Sequence, residues 1–237
     1  VVEAGAGAVL CANNADITLN GSVTVATGGQ WSGGSGTFTP DASTLNAVYS
    51  PSATEILNGS VTLTLTSTVN GDCVAVSDDV TYTFSDAPTA NAGTDITVCE
   101  NNADVSLGGS VTIAGGGVWS GGAGIFTPNA NDLNAVYTPT AGEIAAGTLT
   151  LTLTTTGNGT CNAVSDDVDI TFSDAPEVNA GVDQTVCAND PAVNLNGSIT
   201  IATCGIWSGG GGVFSPNNTT LGATYTPSAG EIAAGSV

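Results

Sequence analysis

The chain has 237 residues, of which 41% are hydrophobic and only 5% aromatic, so it can bury several small cores but not one large core. It carries 21 acidic residues and no Lys, Arg or His, which gives a formal charge of −21. This composition excludes nucleic acid and anionic membrane surfaces as partners and removes nearly every catalytic constellation, so we expect a protein that is not an enzyme.

A period of 88 residues organises the whole sequence. Trp31, Trp119 and Trp207 follow it, as do the two cysteine series that start at Cys11 and Cys73. The period predicts three modules, with bounds at 1–86, 87–174 and 175–237. No apolar stretch approaches the ~20 residues that cross a bilayer, and the chain lacks an initiator Met, so we expect a mature fragment or an internal window of a longer protein.

In each module a cysteine comes first and a tryptophan follows it, in the stretches WSGGSGTFTP, WSGGAGIFTP and WSGGGGVFSP. The order Cys11, Trp31, Cys73 is typical of an Ig-like sandwich, in which the indole packs between two sheets. We therefore interpret Trp31, Trp119 and Trp207 as core residues and the glycines as the tight connection after the tryptophan strand. The alternative is that the three indoles form an exposed ligand platform.

One helical turn and several strands follow the tryptophan. PSATEI, PTAGEI and PSAGEI place a Ser or Thr three residues before a Glu, which is the spacing of a capping box. VTLTLTSTV, LTLTLTTT and VTYTF alternate apolar residues with Thr, which predicts strands with one buried and one solvated face. Asn-Gly pairs such as Asn70-Gly71 suit type I′ hairpins. Together these elements predict an all-β chain of tandem Ig-like antiparallel β-sandwich modules, arranged end to end.

Repeat symmetry allows two disulfide schemes. The scheme that we favour links Cys11 to Cys73 and Cys99 to Cys161, and each loop would contribute about 4 kcal/mol in the unfolded-chain treatment. The other scheme links Cys73 to Cys99 and Cys161 to Cys187, across the joints. One consideration opposes the first scheme: the first and last strands of such a sandwich run parallel, so their cysteines can lie at opposite ends. Either scheme implies an oxidising, extracellular location.

The third module stops before its last two strands. We expect the same polypeptide to continue and complete it, and a strand donated by a neighbouring subunit is the less favoured alternative. Cys204 in this module has no repeat partner. It is a free thiol, a partner for Cys187, or a cross-link to a missing part.

Carboxylates concentrate near the joints between modules. They are Asp78, Asp79, Asp86, Asp166, Asp167 and Asp174. Calcium takes six to eight oxygen ligands, so calcium at the joints is one hypothesis, and no other cofactor is expected. The hypothesis that we favour is that the acidic surface keeps a Thr-rich sheet soluble, since no stretch matches the DxDxDG calcium loop.

The stretches NAGTDITVC, NAGVDQTVC, WSGGxGxF and YTPSAGEIAAGSV resemble the Ig-like and PKD-like tandem modules of giant secreted surface proteins of Bacteroidota. These include gliding and adhesion proteins exported by the type IX system. The resemblance covers the whole chain and implies an adhesin or filament at the cell surface, with neighbouring modules as partners; it also supports bonding within a module. This chain departs from many relatives in lacking every basic residue.

We therefore expect a structural segment of an extracellular adhesin or filament, which acts as a rigid, acidic, disulfide-stapled stalk. The alternative is a recognition module that binds carbohydrate or protein through loops near the repeated tryptophans.

Overall fold

The computed structural model describes all 237 residues, and it confirms the predicted all-β fold class. The elements of the first repeat are β1 Val2–Glu3, β2 Val9–Cys11, β3 Ile17–Thr18, β4 Ser22–Val23, β5 Gly28–Ser32, β6 Thr37–Thr39, β7 Val48–Ser50, α1 Ala53–Leu57, β8 Ser60–Thr68 and β9 Ser77–Ser85. Those of the second repeat are β10 Thr89–Asn91, β11 Ile96–Cys99, β12 Val105–Ser106, β13 Ser110–Thr112, β14 Gly116–Ser120, β15 Ile125–Thr127, β16 Val136–Thr138, α2 Ala141–Ala146, β17 Thr148–Thr156 and β18 Ser165–Ser173. Those of the third repeat are β19 Glu177–Asn179, β20 Val193–Asn194, β21 Ser198–Thr200, β22 Val213–Ser215, β23 Thr224–Thr226 and α3 Ala229–Ala234.

Two sheets enclose the core of the first repeat. One has the strand order β2-β9-β8-β5 and the other the order β3-β7-β6, and β1 pairs separately with β4. Neighbouring strands are antiparallel except β2 and β9, which run parallel. In β8, Val61, Leu63 and Leu65 point into the core while the threonines between them face outwards, as the alternation predicts.

The first strand of the first repeat is divided in two, β1 and β2, and the two parts pair with different neighbours. The chain leaves β4 as β1 ends and joins β9 as β2 begins. Gly7 lies at this crossing, where an added Cβ would come within 2.0 Å of the Thr81 carbonyl oxygen. Only glycine lets the two backbones approach so closely.

The Asn-Gly pairs do not form the type I′ turns that we predicted. Such turns need a positive φ at both central residues, and the asparagines of these pairs have none. Asn58 instead has φ −74° and ends helix α1, and the Asn70 side chain donates to the Ser67 carbonyl oxygen.

The second repeat contains the corresponding sheets, in the orders β11-β18-β17-β14 and β12-β16-β15. The third repeat contains β19-β21 and β20-β23-β22, and within residues 175–237 the four-stranded sheet has no counterpart. The chain forms two compact units. One comprises Val1–Ile96 and Asp104–Thr171, and the other comprises Thr97–Ala103 and Phe172–Val237. The module bounds drawn from the repeat stay a prediction.

Candidate functional site

A disulfide joins the first repeat to the second. It links Cys11 at the end of β2 to Cys161, 150 residues later, with the two Cα atoms 5.0 Å apart. Four cysteines are free thiols, namely Cys73, Cys99, Cys187 and Cys204. Both predicted pairing schemes are therefore wrong, and Cys204 is not bonded to Cys187.

The parallel pairing of β2 with β9 explains why Cys11 does not bond Cys73. In this register Cys11 lies opposite Ser85, at the last residue of β9. Cys73 lies before β9 begins at Ser77. Eight residues of strand span about 26 Å, whereas the Cα atoms of a disulfide lie less than about 7 Å apart. The two cysteines are thus at opposite ends of the sandwich.

Asparagine side chains reinforce the disulfide. We call residues 11–14 the Cys11 turn and residues 157–164, between β17 and β18, the Cys161 loop. Asn13 Nδ2 donates to the Asn162 carbonyl oxygen at 3.0 Å, and Asn162 returns two bonds, from Nδ2 to Asn13 O at 2.8 Å and from its N–H to Asn13 Oδ1 at 3.1 Å. Asn14 Nδ2 donates to the Thr160 carbonyl oxygen at 3.0 Å. One covalent bond and four hydrogen bonds therefore hold the two repeats together.

We call this disulfide and its four hydrogen bonds the clamp. The peptide at the joint between the first two repeats lies against it. The carbonyl oxygen of Asp86 is 3.7 Å from Cys11 Sγ and 3.9 Å from Cys161 Sγ. The sequence did not reveal this site, because the repeat spacing does not show that Cys11 pairs with a cysteine 150 residues away. The available signal was the pair of asparagines that follows Cys11, in CANN, and Cys99, in CENN.

The predicted calcium ligands do not converge on one point. Asp78 and Asp79 are adjacent in β9, so their side chains project from opposite faces of the sheet, and Asp86 follows the other end of that strand. Asp78 Oδ2 accepts from the Ala4 N–H at 2.8 Å, and Asp166 Oδ2 accepts in the same way from Ala92. No group of three or more Asp, Glu or Cys side chains is placed to hold a metal ion. These residues do not fit a shared calcium site, and calcium binding stays a prediction.

The tryptophans of the first two repeats are buried. Trp31 is 1% exposed and Trp119 2%, and each indole N–H donates to a main-chain oxygen, that of Leu45 at 3.1 Å and that of Leu133 at 3.3 Å. A Cβ added to Gly21 would lie 2.7 Å from the Trp31 ring, so this glycine is needed for the indole to fit. Neither ring can offer a face to a ligand.

Trp207 differs because it is only partly buried. It borders an open cleft of about 280 Å³ that is also lined by apolar side chains, including Val178, Ile199, Ile206 and Leu221. In the first repeat, Leu65 of β8 fills the equivalent space beside Trp31 and Gly21. The cleft therefore lies where β8 lies in the first repeat.

The glycines that follow each tryptophan let the chain bind a glutamate carboxylate, which is buried in the first repeat. Glu55 Oε1 accepts from Tyr49 Oη and from the Ser35 N–H, both at 2.8 Å, and Oε2 accepts from the Ser52 N–H and Oγ. Gly34 has φ +68°, and a Cβ there would lie 2.0 Å from Tyr49 Oη. The chain can bring its N–H groups to the carboxylate only because this residue is glycine.

The same arrangement recurs around Glu143 and Glu231, with Tyr137 and Tyr225 as the phenol donors. The three predicted capping boxes are all present. The capping-box spacing predicted the glutamates, whereas nothing in it pointed to the tyrosines, each of which lies six residues before its glutamate.

These carboxylates are fixed in the ionised form. Burial raises the pKa of Glu143, but hydrogen bonds from the backbone of Thr140 and Ala123 and from Tyr137 outweigh it and lower the pKa to about 2. Burial and the hydrogen bond to Glu143 raise the pKa of Tyr137 to about 12. Neither group changes its charge near neutral pH, so the pair acts as a structural anchor and not as an acid or base.

None of the three helices has the length and apolar composition of a membrane-spanning segment.

The sequence matches no family model and no curated protein. The structure is similar to solved extracellular domains. Drosophila N-cadherin EC1-4 is 14% identical with a TM-score of 0.36, over 72% of this chain and 48% of that one. Protocadherin gamma B2 domains 3-6 are 15% identical with a TM-score of 0.37, over 97% and 67%. Mouse cadherin-23 EC22-24 is 14% identical with a TM-score of 0.36, over 93% and 84%.

This chain thus spans about half the length of the N-cadherin fragment. The scores and identities are low, and the assignment of the fold rests on the strand order and pairing described above.

Proposed function

We propose that this chain is a structural segment of an extracellular adhesin or filament, in which successive sandwiches form a stiff, acidic stalk. The observation that carries the proposal is the Cys11–Cys161 disulfide, because it fixes one repeat to the next and not merely one strand to another. The formal charge of −21 keeps the threonine-rich faces soluble.

The disulfide also supports a location outside the cytosol, since such bonds persist in oxidising compartments. The sequence resemblance to tandem modules of Bacteroidota surface proteins supports export by the type IX system. Neighbouring modules of the same chain are the partners that the joint requires.

Small-angle scattering tests the stiffness of the joint. In the oxidised chain the first two repeats should keep a fixed distance from each other, whereas Cys11→Ser should broaden the distribution of distances because these two repeats then move independently. Cys73→Ser, which removes a free thiol, is the matched control and should leave the scattering unchanged. If the oxidised parent already scatters as freely jointed modules, the stalk proposal is wrong.

Trp207 supports a second candidate function, the binding of carbohydrate or protein. Its partly exposed ring beside an apolar cleft is the arrangement that a sugar face or an apolar side chain could use. A glycan array tests this candidate. Binding that Trp207→Ala abolishes would favour it, and the absence of any bound glycan would exclude carbohydrate.

A further inference from the structure

The free thiol of Cys99 lies in a turn that matches the one at Cys11. Cys99 Sγ is 3.6 Å from the Asp174 carbonyl oxygen, and Cys11 Sγ is 3.7 Å from that of Asp86. In both turns the third residue after the cysteine donates its N–H to the cysteine carbonyl oxygen at 2.9 Å. We call residues 99–102 the Cys99 turn. It therefore holds its sulfur as the bonded Cys11 turn does.

The Cys99 turn also carries asparagines at the two positions that bind the partner loop in the Cys11 turn. Asn101 and Asn102 occupy the positions of Asn13 and Asn14 in the repeat. The latter two asparagines donate their amides only to main-chain oxygens of the Cys161 loop. A loop of the same backbone shape would accept the same bonds whatever its side chains.

The free thiol of Cys73 lies in a loop of that shape, residues 69–76 between β8 and β9, which we call the Cys73 loop. Asn70 Nδ2 donates to Ser67 O at 3.1 Å, as Asn158 Nδ2 donates to Thr155 O at 3.1 Å. The cysteine N–H donates to the carbonyl oxygen of this asparagine in both loops, at 3.2 and 3.0 Å. Of the four clamp bonds, only the one from the Asn162 side chain would be lost, because Val74 stands at that position.

We propose that Cys99 and Cys73 each form a separate disulfide of the Cys11–Cys161 kind, which we call a staple. A staple always joins the turn of one repeat to the loop of the next repeat. In this register, Cys99 bonds a cysteine that stands in the third repeat as Cys161 stands in the second, in a hairpin equivalent to residues 149–173. Cys73 bonds the turn of a repeat that precedes the first. Each of these thiols has a repeat equivalent that already forms such a bond: Cys11 for Cys99, and Cys161 for Cys73.

Staple formation is a thiol–disulfide exchange. The two cysteine thiols lose two protons and two electrons and form one S–S bond. The oxidant is a small-molecule or protein disulfide, which takes up the two protons and two electrons and leaves as two thiols. The inference concerns which thiols pair, so it stands whether or not the segment serves as a stalk.

The test extends the full chain by a copy of Thr150–Asp174 placed directly after Val237, which keeps the 88-residue register. The parent and the extended chain are refolded with oxidised and reduced glutathione, cleaved at Asp and Glu, and mapped without reduction. Cleavage at these residues places every cysteine in a separate peptide. We expect Cys11–Cys161 in both chains, and in the extended chain a second bond between Cys99 and the appended copy of Cys161.

Two variants of the extended chain sharpen the result. With Cys99→Ser, the appended cysteine should stay free and not bond Cys187 or Cys204. With Asn101→Ala and Asn102→Ala together, the equilibrium constant for the second bond should fall by roughly fivefold for each hydrogen bond removed, measured against glutathione.

An extended chain in which Cys99 stays free, or in which the appended cysteine bonds any other thiol, overturns the proposal. The Cys11–Cys161 bond in the same sample is the internal control for oxidation. If the Cys11–Cys161 bond forms and the new bond does not, only the further inference fails. The proposed function is unaffected by that result, because it rests on the Cys11–Cys161 joint.

Discussion

Replacing Glu143 by glutamine is expected to destabilise the second repeat without enlarging or shrinking the side chain. The carboxylate accepts four hydrogen bonds, from Tyr137 Oη, the Ala123 N–H, and the N–H and Oγ1 of Thr140. An amide has only one acceptor oxygen. In either orientation, two of the four donors then face an NH₂ group and lose their acceptor.

The loss follows from the number of bonds. A hydrogen bond to a charged group contributes about 1.5–3 kcal/mol, and water can reach Thr140 in part, so we take the lower end of this range for two bonds. The free energy of unfolding should fall by about 3 kcal/mol at pH 7. The melting temperature should fall by roughly 6 to 12 °C if the compact unit Val1–Ile96 with Asp104–Thr171 unfolds cooperatively, since 1 kcal/mol shifts it by about 2 to 4 °C in a unit of 150 to 250 residues.

The assay is urea unfolding, followed by tryptophan fluorescence between pH 7 and pH 2. The pKa of Glu143 is about 2 in the folded chain and 4.5 in the reference state, so its stabilisation is complete above pH 4.5 and is lost as the pH falls towards 2. The difference between parent and variant should therefore shrink across that interval. Glu3→Gln, at an exposed carboxylate in β1, controls for the loss of one negative charge. A difference that stays constant with pH, or that Glu3→Gln reproduces, would refute the reasoning.

Three further predictions follow from the joint and the indoles. Pulled from its two ends, the oxidised chain should extend about 500 Å less than Cys161→Ser in a single-molecule force experiment, because the disulfide encloses 150 residues, while Cys73→Ser should match the parent. Acrylamide should quench Trp207 but not the other two indoles, and Trp207→Phe should remove the quenched fraction; strong quenching in that variant would contradict the burial of Trp31 and Trp119. Because the carboxylates are scattered, millimolar calcium and sodium at equal ionic strength should raise the melting temperature equally. A larger increase with calcium, which Asp86→Asn abolishes, would instead establish a calcium site at the joint.

The capping boxes and strand patterns were predictable because they depend on neighbours in the sequence. A Ser or Thr three residues before Glu sets the helix start by local hydrogen bonds alone. Alternation in β8 decides which side chains face the core, as Leu63 and Leu65 do. The carboxylate anchor was only half predictable, since the phenol of Tyr49 reaches Glu55 from a different element.

The sequence by itself determined the period of 88 residues, the all-β class, the helix caps and the two kinds of cysteine position, since each of these is expressed in local spacing. Only the tertiary structure decided which cysteines pair. The parallel contact of β2 with β9 places Cys11 at one end of the sandwich and Cys73 at the other, and the fold brings Cys161 of the next repeat to Cys11 instead. A disulfide forms between thiols that meet in space, and for this chain they meet between repeats.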